Sequence, residues 1–200
     1  MLVSRVRLDR SLALAILLLS VLMPAACTRK EAIKPKETPI LSGPSNTTYP
    51  MPPLRGDSVT RLGWELSDGE HDVLADYKGK VLVLDFYATW CGPCRRSIPQ
   101  LIELQQRYEK DGLKIVGLNV GGPDDLEKVS DFARELQIQY TLAVPDNALI
   151  SLLLSDNGSI PQTFIFDRKG VLIKRLIGYG PANEEEIKRI VKGAINSSAV

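Results

Sequence analysis

The period of the apolar positions changes several times along this chain, and each change marks an element. Val81 to Phe86 is apolar except at Asp85, as a strand buried on both faces would be. Directly after it Ile98, Leu101, Ile102, Leu104 and Tyr108 recur at helical spacing, which predicts a helix reaching about Lys110. Leu113 to Val120 reads as a second apolar strand, Asp124 to Leu136 as an amphipathic helix opened by acidic residues, and Ala148 to Leu154 as a shorter helical stretch. Two hairpins are predicted, one from Trp64–Leu66 and His71–Leu74 around Ser67-Asp68-Gly69, the other from Gln162–Asp167 and Val171–Ile177 around Asp167-Arg168-Lys169-Gly170. A last helix, from about Asn183 to Ile195, carries Glu184, Glu185 and Glu186 in its first turn and Lys188, Arg189 and Lys192 later, which matches the helix dipole. Strands alternating with helices and closing on a hairpin indicate an α/β domain of three layers, a central mixed sheet flanked by helices, with an N-terminal β-hairpin extension.

The segment before this domain is patterned differently. Arg5, Arg7 and Arg10 precede an uncharged, Leu- and Ala-rich stretch from Ser11 to Ala26 that ends at Cys27, so residues 1–27 read as a secretory leader. Its about sixteen apolar residues fall short of the twenty or so that cross a bilayer. Residues 28–55 hold Pro35, Pro39, Pro44, Pro50, Pro52 and Pro53 among polar neighbours and read as a tether; residues 56–200 form the domain. A hydrophobic share of 44% and a charged share of 24% suit one globular domain, and a net charge of +1 gives no field to collect nucleic acid.

The chemistry concentrates at Cys91-Gly92-Pro93-Cys94, where the strand runs into the helix. Unpaired N–H groups and the positive end of the helix dipole favour a thiolate at Cys91, and Pro93 in the first turn lacks only an N–H that the helix would leave unused. A structural zinc site needs four ligands, yet outside this pair there are only Cys27 in the leader and the single histidine, His71, so no metal and no cofactor is expected. After export, one cysteine pair three residues apart serves redox turnover rather than stapling a fold. Asp85, on a buried strand, is either a proton carrier or a strand-end residue turned to solvent. His71 reads as a solvated hairpin residue, and Arg95 and Arg96 as a wet helix face.

Trp90-Cys91-Gly92-Pro93-Cys94, with Asp76-Tyr77-Lys78-Gly79-Lys80 before it and Asn119-Val120 after it, resembles the TlpA/ResA-like thiol:disulfide oxidoreductases of the thioredoxin superfamily, over residues 57–196. The resemblance implies a thioredoxin-like fold, a helix kink at Pro99, and a cis-proline segment at Ile160-Pro161-Gln162-Thr163-Phe164. It also implies that Cys91 and Cys94 are catalytic, that Asp85 helps deprotonate Cys94, and that Trp90, Gly92, Pro93, Ile160 and Pro161 meet the substrate, Trp90 as a partly exposed lip. Ala25-Ala26-Cys27 resembles a lipobox with Cys27 as the lipidated residue, although Pro24 stands where that pattern has an aliphatic or small residue. Ser97 occupies a place where cytochrome c maturation members commonly have a glutamate. The protein implied is a monomer in the periplasm or on the outer face of the membrane, held there by its signal or a lipid. It would reduce disulfides of extracytoplasmic client proteins and be re-reduced by a membrane dithiol donor, without binding nucleic acid. Rival readings are a thiol oxidase or isomerase, a non-catalytic client- or copper-handling module, for which the domain offers only His71 and no Met, and a single-cysteine peroxidase.

Overall fold

The computed structural model describes residues 61–197; the leader over 1–27 with Cys27, the tether over 28–55 and the start of the domain at residue 56 lie outside the described residues. Its organising element is β3 (Val81–Tyr87), whose seven residues are all buried. The other strands are β1 (Gly63–Leu66), β2 (His71–Val73), β4 (Leu113–Asn119), β5 (Thr141–Pro145), β6 (Gln162–Phe166) and β7 (Leu172–Ile177). The helices are α1 (Gly92–Tyr108), α2 (Pro123–Leu126), α3 (Val129–Leu136), α4 (Asn147–Leu153) and α5 (Pro181–Asn196). The described strands form one sheet in the order β2-β1-β5-β4-β3-β6-β7. β3, β4 and β5 are parallel to one another, while β6, β7, β1 and β2 are added antiparallel. This is the thioredoxin-like mixed sheet with the hairpin β1–β2 as its extension.

Alternation along β3 divides the interior into two cores. Val81, Val83 and Tyr87 pack with Cys91, Cys94, Ile98 and Leu101 of the α1 side, Phe132 of α3 and Ile187 and Val191 of α5. Leu82, Leu84 and Phe86 pack on the opposite face with Trp64, Phe164 and Leu149 and Leu153 of α4. Asp85 belongs by its parity to the α1 face. Among the described residues no helix is long and apolar enough to cross a membrane.

One expectation is corrected, and one strand is added. The helix expected over Asp124–Leu136 is two helices, α2 and α3, because the side chain of Asp125 turns inward toward β3 while Phe132 anchors the second piece in the core. β5 was not anticipated: its buried residues are Ala143 and Pro145, whereas Val144 and Thr141 point outward, so the segment carries no apolar alternation. α1 ends at Tyr108 with a helical cap at Glu109, close to the expected end at about Lys110, and Gly112 (φ +91°) turns the chain into β4.

The hairpin is fastened to the sheet at Gly63, whose N–H donates to Asp146 Oδ2 (3.2 Å) and whose place facing β2 leaves no room for a side chain: a Cβ there would sit 1.9 Å from the Asp72 carbonyl oxygen. His71, expected to be merely solvated, also bonds Asp146 through Nε2 (3.0 Å). Gly63→Ala should therefore part β1 from β2 and destabilise the domain by about 2 kcal/mol. Urea unfolding checks this, and an unchanged midpoint would show that the hairpin shifts at no cost.

Candidate active site

β3 leads through Ala88, Thr89 and Trp90 into α1, and Cys91 is the N-cap of that helix. The turn is closed by the Cys91 N–H donating to the Ala88 carbonyl (3.1 Å). Within the cap, the Cys94 N–H donates to Cys91 Sγ at 3.2 Å. The two cysteines form a disulfide. Cys94 has no accessible surface and Cys91 only 4%, whereas Trp90 beside them is 66% exposed. The buried Ser97 hydroxyl donates to the Cys94 carbonyl (2.9 Å).

The loop before β6 faces the sulfurs. The Ile160–Pro161 peptide bond is cis, and the Ile160 carbonyl oxygen lies 3.9 Å from Cys91 Sγ. Cys91 is thus the sulfur turned toward this backbone. The Pro161 carbonyl accepts from Gly178 N–H (2.8 Å), which ties the proline loop to the β7–α5 loop and its exposed Tyr179. The Arg96 guanidinium stacks 5.2 Å over the Tyr179 ring, and a Cβ on Gly92 would meet Arg96 Nη1 at 3.8 Å. Arg96 therefore bridges Gly92 and Tyr179. Of the expected substrate positions, Trp90 and Pro93 are exposed, Gly92 and Ile160 are half-buried and Pro161 is buried. Tyr179 was missed, since a lone tyrosine between two glycines reads as loop.

Asp85 lies within the sheet, 1% exposed, not turned to solvent. Its lateral neighbours are Gly117 on β4 and Thr163 on β6. The Thr163 hydroxyl donates to Oδ1 (3.0 Å), while Oδ2 has no partner among the described residues. Burial pushes the Asp85 carboxyl up to about 7, opposed only by the Thr163 bond. It is therefore poised to hold or yield a proton near neutrality.

Arg95, expected on a wet face, is half-buried. It pairs with Glu135, lies 5.2 Å from the centre of the Phe132 ring and reaches the Thr89 carbonyl (3.5 Å). Thr89 is held from its other side by Asp125, a residue that the sequence presents only as part of an acidic helix start.

The AhpC/TSA family model matches residues 56–175. The thiol-disulfide oxidoreductase ResA of Geobacillus thermodenitrificans is 34% identical over 122 residues, 61% of this chain and 67% of that protein. The thioredoxin-like protein YneN of Bacillus subtilis is 35% identical over 137 residues, 66% of this chain and 77% of its own. A crystal structure of a thiol:disulfide interchange protein DsbE from Chlorobium tepidum superimposes with a TM-score of 0.59 at 27% identity, covering 67% of this chain and 92% of that one.

The buried carboxyl of Asp85 has a consequence for stability against pH. Below about pH 4 it is protonated both folded and unfolded and contributes no difference. As pH rises toward 7 the unfolded chain releases the proton and the folded chain keeps it, so stability falls until the folded group also ionises. Oxidised Asp85→Asn should accordingly be more stable than the parent at pH 8 by on the order of a few kcal/mol, with the gap closing toward pH 4. Denaturant curves at both pH values test this; a gap independent of pH would mean that Asp85 is not titrating inside the sheet.

Proposed function

This chain belongs to the AhpC/TSA family, and we propose that it is an exported, membrane-held thiol–disulfide oxidoreductase that reduces the disulfides of extracytoplasmic client proteins through Cys91 and Cys94. The observation that carries this is the placement of Cys91 at the cap of α1, facing the Ile160 carbonyl, with Cys94 fully buried beneath it. One sulfur can be reached by a client and the other only by Cys91.

In the reduced protein, the Cys91 thiolate attacks one sulfur of the client disulfide, forming a mixed disulfide and releasing the other client sulfur as a thiolate. Cys94 passes its proton to Asp85 and attacks Cys91 Sγ, which frees the second client thiolate and closes the Cys91–Cys94 disulfide. Two electrons have then moved to the client, and a membrane dithiol donor returns them. Trp90, Pro93 and Tyr179 are exposed and would offer the client chain its contact surface. The Cys-Gly-Pro-Cys turn resembles that of reducing members of the thioredoxin superfamily, and by that analogy supports the reducing direction; strong oxidants are those whose reduced form is unusually stabilised. A pair potential near the roughly −270 mV of thioredoxin agrees with this, and one near −120 mV would instead make the protein an oxidant.

Cys94→Ser should trap clients as mixed disulfides on Cys91, visible on non-reducing gels and abolished by also replacing Cys91. Recovery of only non-covalent partners would argue against turnover. Attachment is a separate matter, resting on the pattern of Ala25-Ala26-Cys27. Lipidation there would let the tether carry the domain between donor and client at raised effective concentration. Cys27→Ser should release active protein from membranes or leave an unprocessed precursor; an unmodified mature N-terminus downstream of Cys27 would sink the lipid anchor and leave the thiol chemistry untouched.

A further inference from the structure

We propose that Asp125 is the positioning residue of this active site: by gripping Thr89 it holds the Trp90–Cys91 turn where Cys91 can be the attacking thiol. The inference rests on the thiol–disulfide reading above and adds a residue to it. Asp125 is 2% exposed although it lies in the short helix α2, on the loop that follows β4. Its carboxylate receives three donors. Oδ2 accepts from the Thr89 N–H (2.9 Å) and from Asn119 Nδ2 (2.8 Å), and Oδ1 accepts from the Thr89 hydroxyl. In this arrangement the carboxylate accepts on both of its oxygens. Burial raises the affinity of Asp125 for a proton, but the bonds from Thr89 and Asn119 outweigh it and hold the carboxyl below its ordinary range.

The grip falls on the residue two before the nucleophile and leaves Thr89 no freedom. Its N–H and hydroxyl are held by Asp125 and its carbonyl by Arg95. Asn119 is oriented in turn, since its Oδ1 accepts from Gly121 N–H (3.0 Å). Gly121 also makes the approach of the carboxylate possible: a Cβ there would lie 2.2 Å from Asp125 Oδ2. The ends of β4 and β3 are also joined by the Val120 N–H donating to the Tyr87 carbonyl (2.9 Å). What the carboxylate adds is the position of the Thr89-Trp90 stub, and displacing a reacting atom by about 1 Å costs on the order of a hundredfold in rate.

The test uses three variants of the full chain. Asp125→Ala removes the grip. Gly121→Ala leaves the carboxylate in place chemically but pushes it off Thr89. Asp125→Asn keeps the contacts, since its amide oxygen can take the Thr89 and Asn119 N–H groups while its amide nitrogen donates to a Thr89 hydroxyl that has reversed. Two quantities are read: the rate of the reduced protein with oxidised glutathione, and the pH dependence of Cys91 alkylation by iodoacetamide in a Cys94→Ser background. Asp125→Ala and Gly121→Ala should lose about tenfold or more in exchange rate, with the Cys91 thiol titrating at higher pH, and Asp125→Asn should stay within about threefold of the parent. Loss of a nearby negative charge alone would move the thiol the other way, so a rise reports lost geometry. Should Asp125→Ala not fold, the other two variants decide. An unmoved or lowered Cys91 titration in Gly121→Ala, or an Asp125→Asn as impaired as Asp125→Ala, overturns the inference. A parent dithiol inert toward oxidised glutathione would overturn the oxidoreductase reading itself, and this inference with it.

Discussion

Everything in the described domain follows from β3 being covered on both faces. A strand so placed must deliver each side chain into one of two packed cores, and its register cannot slip by one residue without exchanging those cores. The strand ends at Tyr87, the chain stays buried through Ala88 and Thr89, and it then turns to cap α1 with Cys91. The redox pair is therefore located by packing. Its surroundings are then completed from elsewhere in the chain: Ile160 by the loop entering β6, Tyr179 by the loop leaving β7, and Thr89's anchor by the loop leaving β4.

Two buried aspartates near this junction show how donor number decides charge. Asp85 receives one hydroxyl and leaves an oxygen without a partner among the described residues, so burial dominates and its carboxyl is pushed up to about 7. Asp125 receives three donors, and hydrogen bonding dominates in the opposite direction. One group is suited to exchanging a proton, the other to holding a fixed charge and a fixed shape. Neither has the direct salt bridge that would commit it to a simple structural pairing among the described residues.

The elements that sequence patterning made legible are those whose burial is written in large side chains. β3, β4 and α1 stand out because Val, Leu, Ile and Phe take most of the buried positions of the two strands, and because Ile98, Leu101 and Leu104 keep the helical period in α1. β5 does not, since the sheet buries Ala143 and Pro145 there and exposes Val144. The position of Cys91 at a strand-to-helix junction could be read from local pattern, because both flanking elements are strongly periodic. The partnership of Thr89, Asn119 and Asp125 could not: it joins a loop, the end of β4 and the short helix α2 by polar contacts at sequence separations of 36 and 6, and an aspartate at a helix start already has an ordinary explanation. The pairing of Arg96 with Tyr179 was hidden for the same reason.

The ring closed by Cys91 and Cys94 spans a sequence separation of only 3. Closing so small a loop removes little freedom from the unfolded chain, and most of the packing in both cores involves residues that the bond does not touch. Folding and oxidation form a thermodynamic cycle, so a bond that adds little to the stability of the fold also takes little of its reduction potential from the fold as a whole. The potential is left to the few groups around the sulfurs, and a substitution on the far side of the sheet can alter the melting temperature of this protein while leaving its electron chemistry unchanged.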